Sequence, residues 1–276
     1  LNQEYSIFFK LGEEHRTKGE FDKSIEFFRN CLTLAKNIHD EKKECESLIK
    51  LGLLLWNTGK VKDSSDHYAQ ALNIAQNLYL KNFIDDCQNA LEIYRLYEDG
   101  KKFRDLGEYQ KSIESFQEAV DLSRKVGSKE HEVKCLRQLS YNYAELNKLR
   151  QLFSLSKDAL KLAQSLSHRR EIARCKLNIG FYYLKMNNFS EALIYYKDSL
   201  EIAKIERDKD DEIICSINIG VIYLEMGIYD KALEYFDKSL LISKELENNH
   251  QNIAKGLNNL GVTYRRRGLI SRNKED

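Results

Sequence analysis

Three asparagines, Asn178, Asn218 and Asn259, recur at spacings of 40 and 41 residues, each two places before a glycine. A side-chain amide donates through its NH2 and accepts through its oxygen, so it can pair with both groups of a peptide bond. Repeated at a fixed rise, such amides suit the main chain of an extended ligand of any sequence. The alternative is that they bond between neighbouring helices of their own protein.

Nothing comparable points to catalysis. The glycines never fall into GxGxxG or GxxxxGK[ST], and neither HExxH nor GxSxG occurs. Six histidines and six cysteines do not combine in a metal-finger spacing. His131 and Cys135, four apart on one helix face, are the nearest approach, and two ligands do not make a site. The chain is therefore read as non-enzymatic, with no metal and no cofactor.

The 276 residues are 42% hydrophobic and 32% charged with a formal net charge of +1. That is enough apolar material for a large core shared among amphipathic elements, and the balance gives no electrostatic case for nucleic acid or an anionic membrane. The longest uncharged run, IICSINIGVIYL, is far short of the roughly 20 residues that span a bilayer. The cysteines are read as reduced structural thiols of a cytoplasmic protein. Cys135, Cys175 and Cys215 occupy one equivalent position, and neighbouring helical units sit about 10 Å apart, beyond bridging reach. The chain opens on Leu1 and stops in mid-pattern, so it is read as a fragment of something larger.

The elements that must position the asparagines repeat with them. Anchors Gly12, Gly52, Gly100, Ser140, Gly180, Gly220 and Gly261 are separated by 40, 48, 40, 40, 40 and 41 residues. Seven residues past each comes a type that tolerates the left-handed conformation: Gly19, Gly59, Gly107, Asn147, Asn187, Gly227 and Gly268. Apolar residues such as Leu193, Tyr196, Leu200 and Ala203 return every three or four positions, and proline is absent. Each unit thus predicts helix A, a tight turn and helix B. Phe28, Tyr68, Phe116, Tyr196 and Phe236 fill the space left by small residues, and one such unit cannot bury its faces alone.

CSINIGVIYLEMGIYDKALEYFDKSLLI and RLYEDGKKFRDLGEYQKSIESFQEAV resemble the tetratricopeptide repeat, across roughly residues 5 to 270. The period of 40 rather than 34, without the closing proline, is similar to kinesin light chains, Pins-like adaptors and bacterial regulatory arrays of this family. The resemblance implies an all-α fold, a right-handed α-α superhelix of antiparallel helix hairpins. The expected organisation is units one and two over 1–76, a helical insert over 77–92, and units three to six with a seventh helix A over 93–276, in one continuous solenoid. The insert keeps helical spacing at Leu80, Ile84, Cys87, Leu91 and Tyr94 and predicts about two added turns. Unit four is degenerate: Ser140, Leu152 and Ser156 exchange large and small positions.

In this family helix A lines a concave groove that holds extended peptides. The resemblance therefore puts the position two before each anchor on the groove wall: Lys10, Lys50, Glu98, Gln138, Asn178, Asn218 and Asn259. Lys101, Arg104, Lys134, Arg137 and Arg174 are expected on the same wall in units three to five. Guanidiniums suit carboxylates, so a peptide or protein partner of acidic character is expected, with Glu98 and Asp105 diluting the field. Tyr141 and Phe181, with Trp56, are expected as pockets for apolar ligand side chains or as buried packing. The carboxylate clamp of chaperone-binding members is incomplete: around Asn178 it gives Arg137 and Tyr141, then Ile214 and Asn218. Two functions remain open. One is a protein-interaction module. The other is a regulatory or sensor array, either of a larger enzyme (a caspase-like protease or histidine kinase) or of a bacterial peptide-pheromone-type regulator.

Overall fold

Turns set the rhythm of the chain. Residues with positive φ fall at Gly19, His39, Gly59 and Tyr79, then from Gly107 through Gly227, every 20 residues apart from one step of 28. At the first, the Gly19 N–H donates to Arg16 O and the Glu20 N–H to His15 O, both at 3.0 Å. These paired bonds satisfy the last carbonyls of a helix, and the next helix begins at once. Gly19 is required twice over: its φ is +73°, and a Cβ there would stand 2.2 Å from the Ser167 carbonyl oxygen.

The computed structural model describes residues 1–246 and 250–272, with side chains through 268. Among these there are thirteen helices and no strand. They are α1 (Asn2–Thr17), α2 (Phe21–Asn37), α3 (Glu41–Asn57), α4 (Val61–Asn77), α5 (Lys81–Asp105), α6 (Tyr109–Lys125) and α7 (Lys129–Glu145). The series continues with α8 (Leu149–Ser165), α9 (Arg169–Lys185), α10 (Phe189–Ile205), α11 (Lys209–Glu225), α12 (Tyr229–Glu245) and α13 (His250–Arg272). Odd-numbered helices are the A helices. Gly52 is the twelfth residue of α3 and Gly100 the twentieth of α5, so the eight additional residues of α5 all precede its anchor.

Two compact units result. One comprises Leu1–Lys148 with Lys161–His168, the other Leu149–Leu160 with Arg169–Asp276. In the first, each helix from α1 to α7 packs on the next, and in the second each from α9 to α13 does. The joint in both is a ring seated on a glycine. A Cβ on Gly12, Gly52 or Gly100 would lie 2.7–2.8 Å from Phe28, Tyr68 or Phe116, and one on Gly180 or Gly220 2.9 or 2.6 Å from Tyr196 or Phe236. Hydroxyls of Ser24, Ser64 and Ser112 donate to the carbonyls of Gly12, Gly52 and Gly100 at 2.6–2.7 Å, tying helix B to the same turn of helix A.

Ser140, Leu152 and Ser156 are all fully buried. The six cysteines are buried as thiols. Burial pushes the Cys45 thiol up to about 11 and those of Cys31, Cys87 and Cys215 to about 12, so they pack as small apolar groups. Gly268, expected in a turn, lies inside α13. Glycine tolerates a left-handed turn but does not enforce one, and its cost within a helix is about 1 kcal/mol.

Candidate interaction surface

Because Gly12, Gly52, Gly100, Gly180 and Gly220 each face a ring of helix B, the residue two places earlier lies about 200° round the helix, on the side away from helix B; at Gly261 a Cβ meets no described atom within 4 Å, and Asn259 is placed by its register alone. In the second unit α11 touches both α9 and α13. Asn178, Asn218 and Asn259 stand one on each, all half-buried. Among the described residues, the side chains of Asn218 and Asn259 make no hydrogen bond to the protein. Phe181, one place after its anchor, is half-exposed with the Lys185 ammonium 5.1 Å from its ring centre.

Arg174 has a different role from the one expected. Its Nε donates to Asp211 at 2.8 Å and a terminal nitrogen to Asp208 at 3.0 Å. Asp208 also caps α11 by accepting the Asp211 N–H at 3.2 Å. Arg174 therefore ties α9 to the start of α11, its charge matched by two carboxylates.

Of the predicted residues of the first unit, Arg104, Tyr141 and Lys134 enter contacts that join α3, α5 and α7. Arg104 donates to Gln138 Oε1 at 2.5 Å and lies 5.2 Å above the Tyr141 ring, and Gln138 Nε2 donates to the Tyr97 hydroxyl at 2.9 Å. Lys101 pairs with Glu98 at 3.2 Å. Tyr141 is 42% exposed, and Arg137 is half-buried. Lys134 must be corrected: instead of facing a ligand it is only 2% exposed, and its ammonium donates to the Trp56 carbonyl and sits over the Trp56 ring. A lysine at the end of a helix satisfies the carbonyls left without an intrahelical partner, and here that helix is α3. Trp56 is likewise buried; it donates from Nε1 to the Glu130 carbonyl at 3.2 Å and packs on Tyr97 and His131.

Sequence reasoning missed the joining of Trp56, Tyr97, His131 and Gln138. Gln138 did carry a signal, since it occupies the ladder position in unit four. No described helix is long and apolar enough to cross a membrane.

Profiles of the tetratricopeptide repeat match residues 5–77 and 212–271, 172–206, and 103–126, together well over half of the chain. No curated protein matches it. Three similar solved structures are BtubC (BKLC) from P. vanneervenii, the apo form of RapI, and a signal transduction ATPase with a tetratricopeptide repeat sensor, PH0952 from Pyrococcus horikoshii. BtubC is 19% identical with a TM-score of 0.51, over 83% of this chain and 92% of its own. RapI is 16% identical with a TM-score of 0.53, over 96% and 72%. PH0952 is 15% identical with a TM-score of 0.56, over 90% of this chain and 43% of its own. At these identities the likeness is one of fold, which agrees with the ring-on-glycine hairpins. The chain belongs to the tetratricopeptide repeat family.

Proposed function

We propose that the A-helix face of α9, α11 and α13 holds an extended segment of a protein partner by its main chain, making the protein a peptide-binding interaction module. The observation that carries this reading is the set of asparagines in register on adjacent helices, with the amides of Asn218 and Asn259 unbonded and half-exposed. Half-exposed amides bonded to water exchange those bonds for bonds to a peptide at little cost, while retaining one orientation. Phe181 adds an apolar contact beside the ladder. The acidic preference expected from the cations does not enter this reading, because Arg174 already holds two carboxylates, Lys101 pairs with Glu98 and Lys134 is buried.

A second reading keeps the same face but makes it the input of a larger regulatory protein. The name of the P. horikoshii structure describes a repeat array used as a sensor.

Peptides selected from a displayed random library on the intact chain provide the test. Each ladder amide contributes about 1 kcal/mol net, so Asn218→Ala with Asn259→Ala weakens a selected peptide about tenfold or more. The thermal transition stays in place. Undiminished binding by a folded double variant overturns the reading.

A further inference from the structure

The first unit contains a cavity of about 120 Å³ lined by Arg16, Thr17, Phe21, Asn57, Glu130, Ser165, Leu166 and His168. Its walls are helix ends: the last turns of α1, α3 and α8, the first residues of α2 and α7, and the turn after α8. Asn57 is the last residue of α3 and only 2% exposed, yet among the described residues neither its Oδ1 nor its Nδ2 has a hydrogen-bond partner. The same position, five past the anchor, is exposed at Thr17, Asp105, Glu145, Lys185 and Glu225. Asn57 alone among these is enclosed with its amide unsatisfied. A buried amide in that state has given up its bonds to water without replacing them, which favours a ligand that restores them.

The polar neighbours of Asn57 are already engaged. Arg16 donates to Glu13 at 2.9 and 3.0 Å and to Glu130 at 2.9 Å, while the Thr17 and Ser165 hydroxyls donate to Glu14 and Leu162 carbonyls at 2.8 and 2.7 Å. What Asn57 offers the cavity is therefore one donor and one acceptor side by side, with Leu166, Phe21 and the buried His168 ring, 4.7 Å from Phe21 between ring centres, as the neighbouring walls. Thr17 and Ser165, both exposed, mark its mouth.

We infer that this cavity binds a primary carboxamide. A carboxamide presents an acceptor and a donor in the complementary order and closes a two-bond ring with Asn57. At about 30 Å³ per water, the volume equals roughly four waters, or one short side-chain end. A carboxylate supplies no donor and leaves Asn57 Oδ1 unmet, so it is rejected. The ligand is either a free small amide or the side chain of a peptide glutamine. The site is in the first unit and does not depend on the asparagine ladder of the second.

The test follows the Asn57 side-chain 1H–15N pair of the intact chain by NMR, with acetamide, N-acetyl-glutamine N-methylamide and acetate as probes. Both amides are expected to shift the pair saturably and acetate to leave it in place. Tighter binding of the glutamine derivative identifies a peptide side chain as the source, and equal binding identifies a free amide. Asn57→Leu, which keeps the volume and removes the amide, is expected to bind neither while unfolding at the same or a higher temperature. If the pair does not respond, responds equally to acetate, or shows contact to water alone at saturating probe, the inference is overturned. It is equally overturned if Asn57→Leu still binds the amides.

Discussion

At Tyr196 a phenol is fully buried and its oxygen has no hydrogen-bond partner among the described residues. Phe28, Phe116 and Phe236 fill the same socket in other hairpins without that oxygen. Tyr196→Phe should therefore stabilise the protein by about 1 kcal/mol in urea unfolding, and a loss of that size would show that the oxygen is satisfied. The sockets themselves distinguish two glycines. Gly180→Ala forces a methyl against the Tyr196 ring and should cost about 1–3 kcal/mol. Gly261→Ala, where a Cβ meets nothing within 4 Å, should gain up to about 1 kcal/mol from helix propensity.

His131 gives a pH signature at the same scale. Burial, with Lys134 nearby, lowers its pKa to about 3, and its Nδ1 is 2.6 Å from the Ser128 hydroxyl. Above the ordinary value of 6.5 the ring is neutral in both folded and unfolded chains, so stability is at its full value. Below it only the unfolded chain takes up the proton. Stability should therefore fall by up to about 1.4 kcal/mol per pH unit as pH drops from 6.5 towards 3. Denaturation midpoints against pH should show this slope, and His131→Phe should remove its share.

Among the elements, turns and helix lengths were largely legible in the sequence, because a left-handed residue leaves a strong preference for Gly or Asn. The A-to-B turns at Gly19, Gly59, Gly107, Asn147, Asn187 and Gly227 follow that preference. The B-to-A turns were less visible: His39, Tyr79, Ser167 and Arg207 take the same positive φ without its residue type. Tyr79, at φ 55° and 90% exposed, loses nothing in packing when replaced. Tyr79→Gly should raise the thermal midpoint by an amount equivalent to about 1 kcal/mol, and a lowered midpoint would assign the ring a structural role.

On the scale of the whole molecule, the repeat specifies which residues of a hairpin face helix B and which face away, and the register of the three asparagines rests on that spacing. Contacts far apart in sequence are not written in the repeat. Lys134 occupies an outward position by spacing, but reaches the Trp56 carbonyl 78 residues away, and Arg174 is engaged by carboxylates 34 and 37 residues later. A cation read from one helix cannot be assigned to a ligand until the neighbouring helices are known. The asparagines escaped this ambiguity only in part, since the register of the face follows from the repeat and its occupant does not.

Backbone N-methylation of a selected peptide, scanned one amide at a time by calorimetry against the intact chain, addresses main-chain recognition most directly. Under the proposed reading, methyl groups at the amides assigned to Asn178, Asn218 or Asn259 should each lower affinity about tenfold, with the intervening amides tolerant. Tolerance at every amide, combined with loss of binding on side-chain truncation of the peptide, would contradict it.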